Sequence, residues 1–372
     1  MSKILISLGT RPEFIKLFPL IKLFSRKKII IVNSAQHKSL LNKLIKEAKI
    51  KFDYNLNVLK KEDSLSGLFS SVLKKFNLVL KKTKPKMVIV QGDTATAAAC
   101  ALASFHNQIP VSHVEAGLRT YNIYRPFPEE IYRQIISRIA KMNFAPTYLN
   151  KKNLLSENIK YKIFVTGNTV YDSLKYFIKK INYNKINTNF KKKYKIDFSN
   201  DKVKILFTCH RRENYGKNFK NICHAIRKIC KKYGNIEIIY PLHHNPNFYE
   251  KAIQNFKKNK QVILVPPQEY KNTIFLIKNS RLIISDSGGI QEEAVFFKKY
   301  VIVIREETER VEGVLKGYSV ISKISSKAIQ EKVDNFFKKE KKITNRMNIS
   351  KNPYLNHGSP SYKIFKIISK NI

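Results

Sequence analysis

Cysteine is scarce. Cys100, Cys209, Cys223 and Cys230 are the only four in 372 residues, and none forms a C-x-x-C pair. That spacing argues against a disulfide framework and a cysteine zinc site, and a reducing cytoplasm is the simplest home. Long apolar runs are missing too. No stretch approaches the ~20 residues that a membrane-spanning helix needs. The opening MSKILISLGT is broken by Gly9 and is too short for a signal peptide. Acids are few: 27 Asp and Glu against 71 Lys and Arg give a formal net charge of +44. Such a charge suits nucleic acid or an anionic membrane. The lysines, however, are spread over many expected helices with no dense arm. The chain also lacks a recognition helix or an aromatic-rich binding motif, so no nucleic-acid partner is expected. Enrichment in Lys, Ile and Asn throughout reads as a coding bias towards A and T. A basic surface would still attract an anionic substrate.

What is present is core and alternation. The length is about twice that of a typical single domain, and 43% of the residues are hydrophobic, so two domains are expected. Short apolar runs alternate with helical stretches. In the first half they cover 4–8, 29–32, 87–90, 111–114, 143–145 and 163–165. In the second they cover 203–207, 236–240, 261–265, 281–285, 300–304 and 319–321. Each half reads as a parallel sheet with helices between its strands. The expected fold class is α/β, with two Rossmann-like domains and a cleft between them. The boundaries are 1–168, a connecting helix and linker over 169–202, 203–352, and a C-terminal helix over 353–372 that packs back on the first domain. The polar, Asn- and Lys-rich stretch 181–202 is the most linker-like.

Ligands of open parallel sheets bind beyond the carboxyl ends of the strands, so the residues just after each strand matter most. The richest such stretch is RLIISDSGGIQEEA, residues 281–294. A strand feeds a helix through Ser287, Gly288 and Gly289, with Asp286 and Ser287 as candidate caps and helical pattern from Ile290. Unpaired N–H groups at the positive end of a helix dipole make an anion site, and phosphate is its usual tenant. Of Glu292 and Glu293, at least one must turn away from a phosphate. A ribose diol, which donates two hydrogen bonds, suits a carboxylate there.

Other strand ends are equally polar. The first leads into Arg11, Pro12 and a helix carrying Lys16. The third leads into Gln91-Gly92-Asp93-Thr94, where Asp93 reads as a helix cap. The fourth leads into HVEAGLRT, where Glu115 reads as a partner of Arg119. Glu129 and Arg133 lie four apart on one helical face. In the second half, His210, Arg211 and Arg212 follow a strand, and a cation pair there suits a pyrophosphate. His243 and His244 are adjacent, point apart and have no nearby carboxylate, so no metal site is expected.

Taken together, GTRPEFIK, AQH, QGDT, HVEAGLRT, PEE with Arg133, TGN, HRREN, PQEY, SDSGGIQEEA and TER resemble the non-hydrolysing UDP-N-acetylglucosamine 2-epimerases. They run in family order from Gly9 to Arg310. The resemblance implies a GT-B, glycosyltransferase-like fold and a homodimer. It also implies reversible inversion at C2 between UDP-GlcNAc and UDP-ManNAc without metal or cofactor, supplying surface polysaccharide. By resemblance, Asp93, Glu115 and Glu129 are acid–base carboxylates and His210 assists near the leaving diphosphate. Arg11, Lys16, Arg133 and Arg310 line anionic and sugar contacts. Ser287, Gly288 and Gly289 hold phosphate, Glu293 the ribose and Gln268 the uracil region.

Some members bind UDP-GlcNAc at a second, activating site. Gln36, His37, Arg211 and His243 match parts of it, but Ser39 and Asp63 depart from the usual Gln and Arg. Thr273 stands where an aromatic commonly lies against uracil. Two alternatives share the fold: a hydrolysing 2-epimerase, which departs from HVEAGLRT, and an inverting glycosyltransferase, for which three carboxylates in one half are excessive.

Overall fold

The computed structural model describes residues 3–35, 39–58, 64–159, 161–243, 246–347, 352–355 and 358–372. Gln36, His37 and Asp63 fall outside that set. The chain divides into two compact units, one of 1–173 with 354–372 and one of 174–353.

The first unit holds seven strands: β1 (Ile4–Leu8), β2 (Ile29–Asn33), β3 (Tyr54–Asn55), β4 (Met87–Gln91), β5 (Val111–Val114), β6 (Met142–Ala145) and β7 (Lys162–Val165). Their order is β3-β2-β1-β4-β5-β6-β7, and every pairing is parallel. The second unit holds β8 (Val203–Thr208), β9 (Ile236–Pro241), β10 (Val262–Val265), β11 (Leu282–Ser285), β12 (Val301–Val303) and β13 (Ser319–Ile321). Their order is β10-β9-β8-β11-β12-β13, again all parallel. Both are doubly wound sheets, the arrangement of the GT-B fold.

The strands form where they do because helices cover both faces of these sheets. A strand buried on both sides reads as a continuous Ile/Val run rather than an alternation. β1, ILISL, is buried at all five positions. The twelve expected runs are all strands, with ends differing by at most one residue. β3 lies outside those runs: it is two partly exposed residues that pair with Val32 and Asn33. The stretch 181–202 is not a bare linker. Helix Tyr183–Tyr194 occupies it, capped by Asn182. Phe190 and Ile196 are buried in the core of the second unit, with the Phe190 ring stacked on Phe275 at 6.0 Å. Helix Pro360–Lys370 packs against helix Arg11–Leu23, and Ser361 N donates to Asp172 at 2.8 Å. Among the described residues no helix is long and apolar enough to cross a membrane.

In such sheets the strand order reverses at one point, and a crevice opens there at the carboxyl ends. In the first unit that point lies between β1 and β4, and in the second between β8 and β11.

Candidate functional site

At the first switch point, the turn after β1 begins helix Arg11–Leu23. Thr10 is its N-cap and forms a capping box with Glu13, with Pro12 in the first turn. Lys16, one turn along, is buried, and its ammonium pairs with Glu115. Glu115 also accepts from Gln91 Nε2 at 2.5 Å and from Asn168 Nδ2 at 3.3 Å. It caps no helix. Its φ is 70°, a left-handed conformation uncommon outside glycine, and its N–H and that of Ala116 both donate to Phe144 O at 3.0 Å. Two residues on, Gly117 is required: a Cβ there would lie 2.2 Å from the Asn150 carbonyl oxygen.

Two local pairings expected from sequence are replaced by longer ones. Arg119 does not serve Glu115. Its guanidinium grips Glu157 at 2.6 and 2.8 Å, a bidentate geometry that a partner four residues away could not offer so squarely. Asp93 does not cap the Ala-rich helix. Thr94 is the N-cap of helix Ala95–His106 and accepts from Ala97 N at 3.0 Å. Asp93 instead pairs with Arg133. Spacing points to Glu129 as the acid for Arg133; in the structure Arg133 pairs with Glu130 at 3.1 Å and with Asp93. Glu129 is the first residue of helix Glu129–Ile139, and its charge is felt by Tyr132, whose hydroxyl is pushed up first by burial and then by that carboxylate.

Beneath this turn lies His113, buried two residues before Glu115. One ring nitrogen faces the Gly92 carbonyl at 2.8 Å and the other the Ser137 hydroxyl at 3.2 Å. A carbonyl only accepts, so Nε2 carries the proton and Nδ1 accepts from Ser137. Burial lowers the ring to about 4, so His113 stays neutral at physiological pH.

The second switch point is built around Asp286, which is fully buried. Sequence offers it, beside Ser287, as a candidate cap of the following helix, but it reaches across to the turn after β8. Its Oδ2 accepts from His210 N and Arg211 N, both at 2.8 Å, and from Asn214 Nδ2 at 2.9 Å. Its Oδ1 lies 3.3 Å from His210 Nδ1. Burial alone would raise this carboxyl, but the His210 ring and the donated N–H groups outweigh that and hold it below the usual range. His210 is thereby fixed from its backbone and its ring, and its other face stacks on His243 at 5.0 Å.

Ser287 occupies the N-cap of helix Gly288–Phe296 without a side-chain cap bond, and the helix starts two residues earlier than expected, at Gly288. Arg310 lies over that first turn: a Cβ on Gly288 would meet its Cζ at 2.9 Å. A helix N-terminus with a guanidinium on it is an anion site. The two glutamates are already engaged. Glu292 holds Arg310 Nε at 3.0 Å, and Glu293 accepts from Tyr270 OH at 3.0 Å. Glu309, the middle residue of the TER motif, pairs with Arg310 and sits 2.7 Å from buried Arg305 and 3.8 Å from Arg211. Gln268, after β10, donates to Pro266 O at 2.5 Å and accepts from Asn272 at 2.9 Å. Among the described residues no cluster of three or more His, Cys, Asp or Glu could hold a metal ion.

The sequence-expected residues thus fall into two groups. Arg11, Lys16, Asp93, Glu115, Glu129 and Arg133 belong to the first unit. His210, Arg211, His243, Gln268, Ser287, Gly288, Gly289, Glu293 and Arg310 belong to the second. Gln91, Asn168, His113, Asn214 and Glu309 join them. All five stand inside or beside the quoted motifs, which was the available signal.

A family model described as UDP-N-acetylglucosamine 2-epimerase matches residues 22–369. A UDP-N-acetylglucosamine 2-epimerase of Neisseria meningitidis serogroup A is 43% identical over 85% of this chain and 86% of its own. That of Escherichia coli K12 is 37% identical over 99% of both chains. A crystal structure of the Neisseria meningitidis UDP-GlcNAc 2-epimerase bound to UDP-GlcNAc matches with a TM-score of 0.93 at 38% identity over 100% of both chains.

Proposed function

Because the chain belongs to the non-hydrolysing UDP-N-acetylglucosamine 2-epimerase family, we propose that it inverts C2 of its substrate by eliminating UDP and adding it back. Its activity is the interconversion of UDP-GlcNAc and UDP-ManNAc. The C2 proton of this sugar is not acidic, because no carbonyl stands beside that carbon as in a keto sugar. Loss of the C2 proton together with cleavage of the C1–O bond to UDP gives 2-acetamidoglucal. Protonation of C2 from the other face, with UDP returning to C1, completes the inversion. That route needs acid–base groups about C2 and cations about the departing diphosphate.

The observation that carries this mechanism is the pair Lys16–Glu115 at the end of β5. Glu115 is a carboxylate with no capping role, in a left-handed backbone conformation, held by three donors. Asp93 and Glu129 share the acid–base work with it. Arg11, Lys16 and Arg133 contact sugar and phosphate. Ser287, Gly288 and Gly289 take the diphosphate at the helix N-terminus with Arg310, and His210, fixed by Asp286, assists UDP as it leaves. Glu293 takes the ribose and Gln268 the uracil end. His243 and Arg211 match part of the second nucleotide site of some family members, a site whose pattern Ser39 and Asp63 break.

The same reading makes the enzyme a cytoplasmic homodimer that feeds a surface polysaccharide. Leu78 and Phe105, exposed on two helices packed against each other, offer an apolar face for the second copy. Product identity tests the activity. Proton NMR of UDP-GlcNAc with the enzyme should show UDP-ManNAc growing in. Free ManNAc with stoichiometric UDP would assign the hydrolysing reaction instead, and unchanged substrate would defeat the proposal.

A further inference from the structure

At each switch point a buried carboxyl ties the turn after one strand to the turn after its neighbour. In the second unit it is Asp286, among charged and polar groups. In the first it is Glu13, whose partners are all uncharged. Oε2 accepts from Gly9 N at 3.1 Å, Thr10 N at 2.8 Å and Thr10 Oγ1 at 2.7 Å. Oε1 accepts from Thr94 Oγ1 at 2.8 Å, and Thr94 lies 81 residues away in sequence. Glu13 is 1% exposed. A helix start needs a capping acid at this position, but a cap has no need of Thr94.

We propose that Glu13 is a positioning residue of the epimerisation, acting through Thr94 on the turn that carries Asp93. This rests on the assignment of Asp93 to acid–base work. Three consecutive residues of that turn are each held by a different element. His113 holds Gly92 O, Arg133 holds the Asp93 carboxylate, and Glu13 holds the Thr94 hydroxyl. Thr94 is also the N-cap of helix Ala95–His106, so whatever fixes Thr94 fixes the point from which Asp93 projects. Glu13 stands in the helix that carries Arg11 and Lys16, so it also ties that helix to the Asp93 turn.

The Glu13 bond has a direction that depends on a proton. Ionised, Glu13 accepts the Thr94 hydroxyl, as the structure has it. Protonated on Oε1, it donates to Thr94 Oγ1, which already accepts from Ala97 N, and the threonine proton must turn elsewhere. Burial pushes Glu13 up to about 7, against the hydrogen bonds of Thr10, Thr94 and Gly9, which lower it. The titratable group that faces it is Cys100 of helix Ala95–His106, which burial keeps as a neutral thiol. Gly9 and Thr10 face it with amides. The competent turn is therefore the one formed above neutrality.

Glu13→Gln tests this. A glutamine places an amide N–H at Thr94 and keeps its carbonyl for Gly9 and Thr10, which imitates the protonated form at every pH. Turnover of the variant should match wild type within about twofold near pH 6 and fall about tenfold below it near pH 8, with UDP affinity by calorimetry unchanged. A role confined to helix capping would lower activity by the same factor at both pH values, and that flat ratio, or equal activity at both, overturns the proposal. A folding control has its own sign. The wild-type carboxyl binds its proton more tightly folded than unfolded, so its contribution is fully present below its ordinary value of 4.5 and is lost as pH rises through about 7. Glu13→Gln should remove that loss. If Glu13→Gln fails to fold, Thr94→Ser should keep the wild-type pH profile and Thr94→Val should lose it, and identical profiles for the two overturn the proposal. Asp93→Asn is measured alongside. If it retains turnover, the Asp93 assignment falls and the proposal with it. If it collapses while the Glu13→Gln ratio is flat, only the proposal falls.

Discussion

Asp93→Asn, Glu115→Gln and Glu129→Gln are each expected to lower kcat by roughly two to four orders of magnitude while leaving UDP affinity near that of wild type. Each replacement keeps the shape and removes the titratable group. Sequence offers each residue a structural role that would make such a change mild. Two of those roles are gone: Thr94 caps the helix behind Asp93, and Arg119 binds Glu157 rather than Glu115. Glu115→Gln carries a second effect. Lys16, Gln91 and Asn168 all donate to the glutamate, and an amide accepts on one oxygen only, so a buried ammonium loses its counter-charge. Melting must therefore be measured beside turnover. UDP affinity should survive in all three, because the residues proposed to seat the diphosphate at the helix N-terminus and the ribose, Ser287, Gly288, Gly289, Arg310 and Glu293, belong to the second unit. Near-normal turnover in all three variants would return these carboxylates to structural roles and remove the mechanism.

Asp286→Ala should destabilise the second unit by about 3–5 kcal/mol, the cost of removing one side of a buried charged network. Three donors, His210 N, Arg211 N and Asn214 Nδ2, lose their acceptor. His210 loses both of its anchors, so turnover should fall even in the folded fraction. The pH dependence has a definite sign. A carboxyl held below its ordinary value gives stability that is present above that value, 3.8, and lost as pH falls through its lower folded value. Wild type should lose this contribution only in strong acid, whereas Asp286→Ala lacks it throughout. Urea unfolding followed at several pH values reads both effects. A midpoint like that of wild type near neutrality would show that Asp286 does not hold the turn.

Much of the fold is legible in the sequence because buried parallel strands are apolar runs and because polar motifs cluster where those runs stop. β3 is not, since two partly exposed residues form no pattern. Helix Tyr183–Tyr194 has a signal that its Asn and Lys content obscures: Tyr183, Ile186, Phe190 and Tyr194 recur at helical spacing. The site is legible as a set of residues and illegible as a set of contacts. Sequence favours partners three or four positions away, so Asp286 reads as a cap and Glu115 as the acid of Arg119. The structure uses partners farther off. Arg119 meets Glu157 across 38 residues, Asp286 meets His210 across 76, and Glu13 meets Thr94 across 81. Such distances are set by strand order, which brings β5 beside β6, β1 beside β4 and β8 beside β11. No local pattern records that adjacency.

Elimination and re-addition of UDP require one proton to leave C2 and another to arrive from the opposite face. Running the epimerisation in D2O and following C2 by NMR measures this directly. Deuterium should appear at C2 of UDP-ManNAc from the first turnovers, because the incoming proton is delivered by groups that exchange with solvent. UDP-ManNAc formed with its C2 hydrogen fully retained would contradict the elimination route and the acid–base roles of Asp93, Glu115 and Glu129.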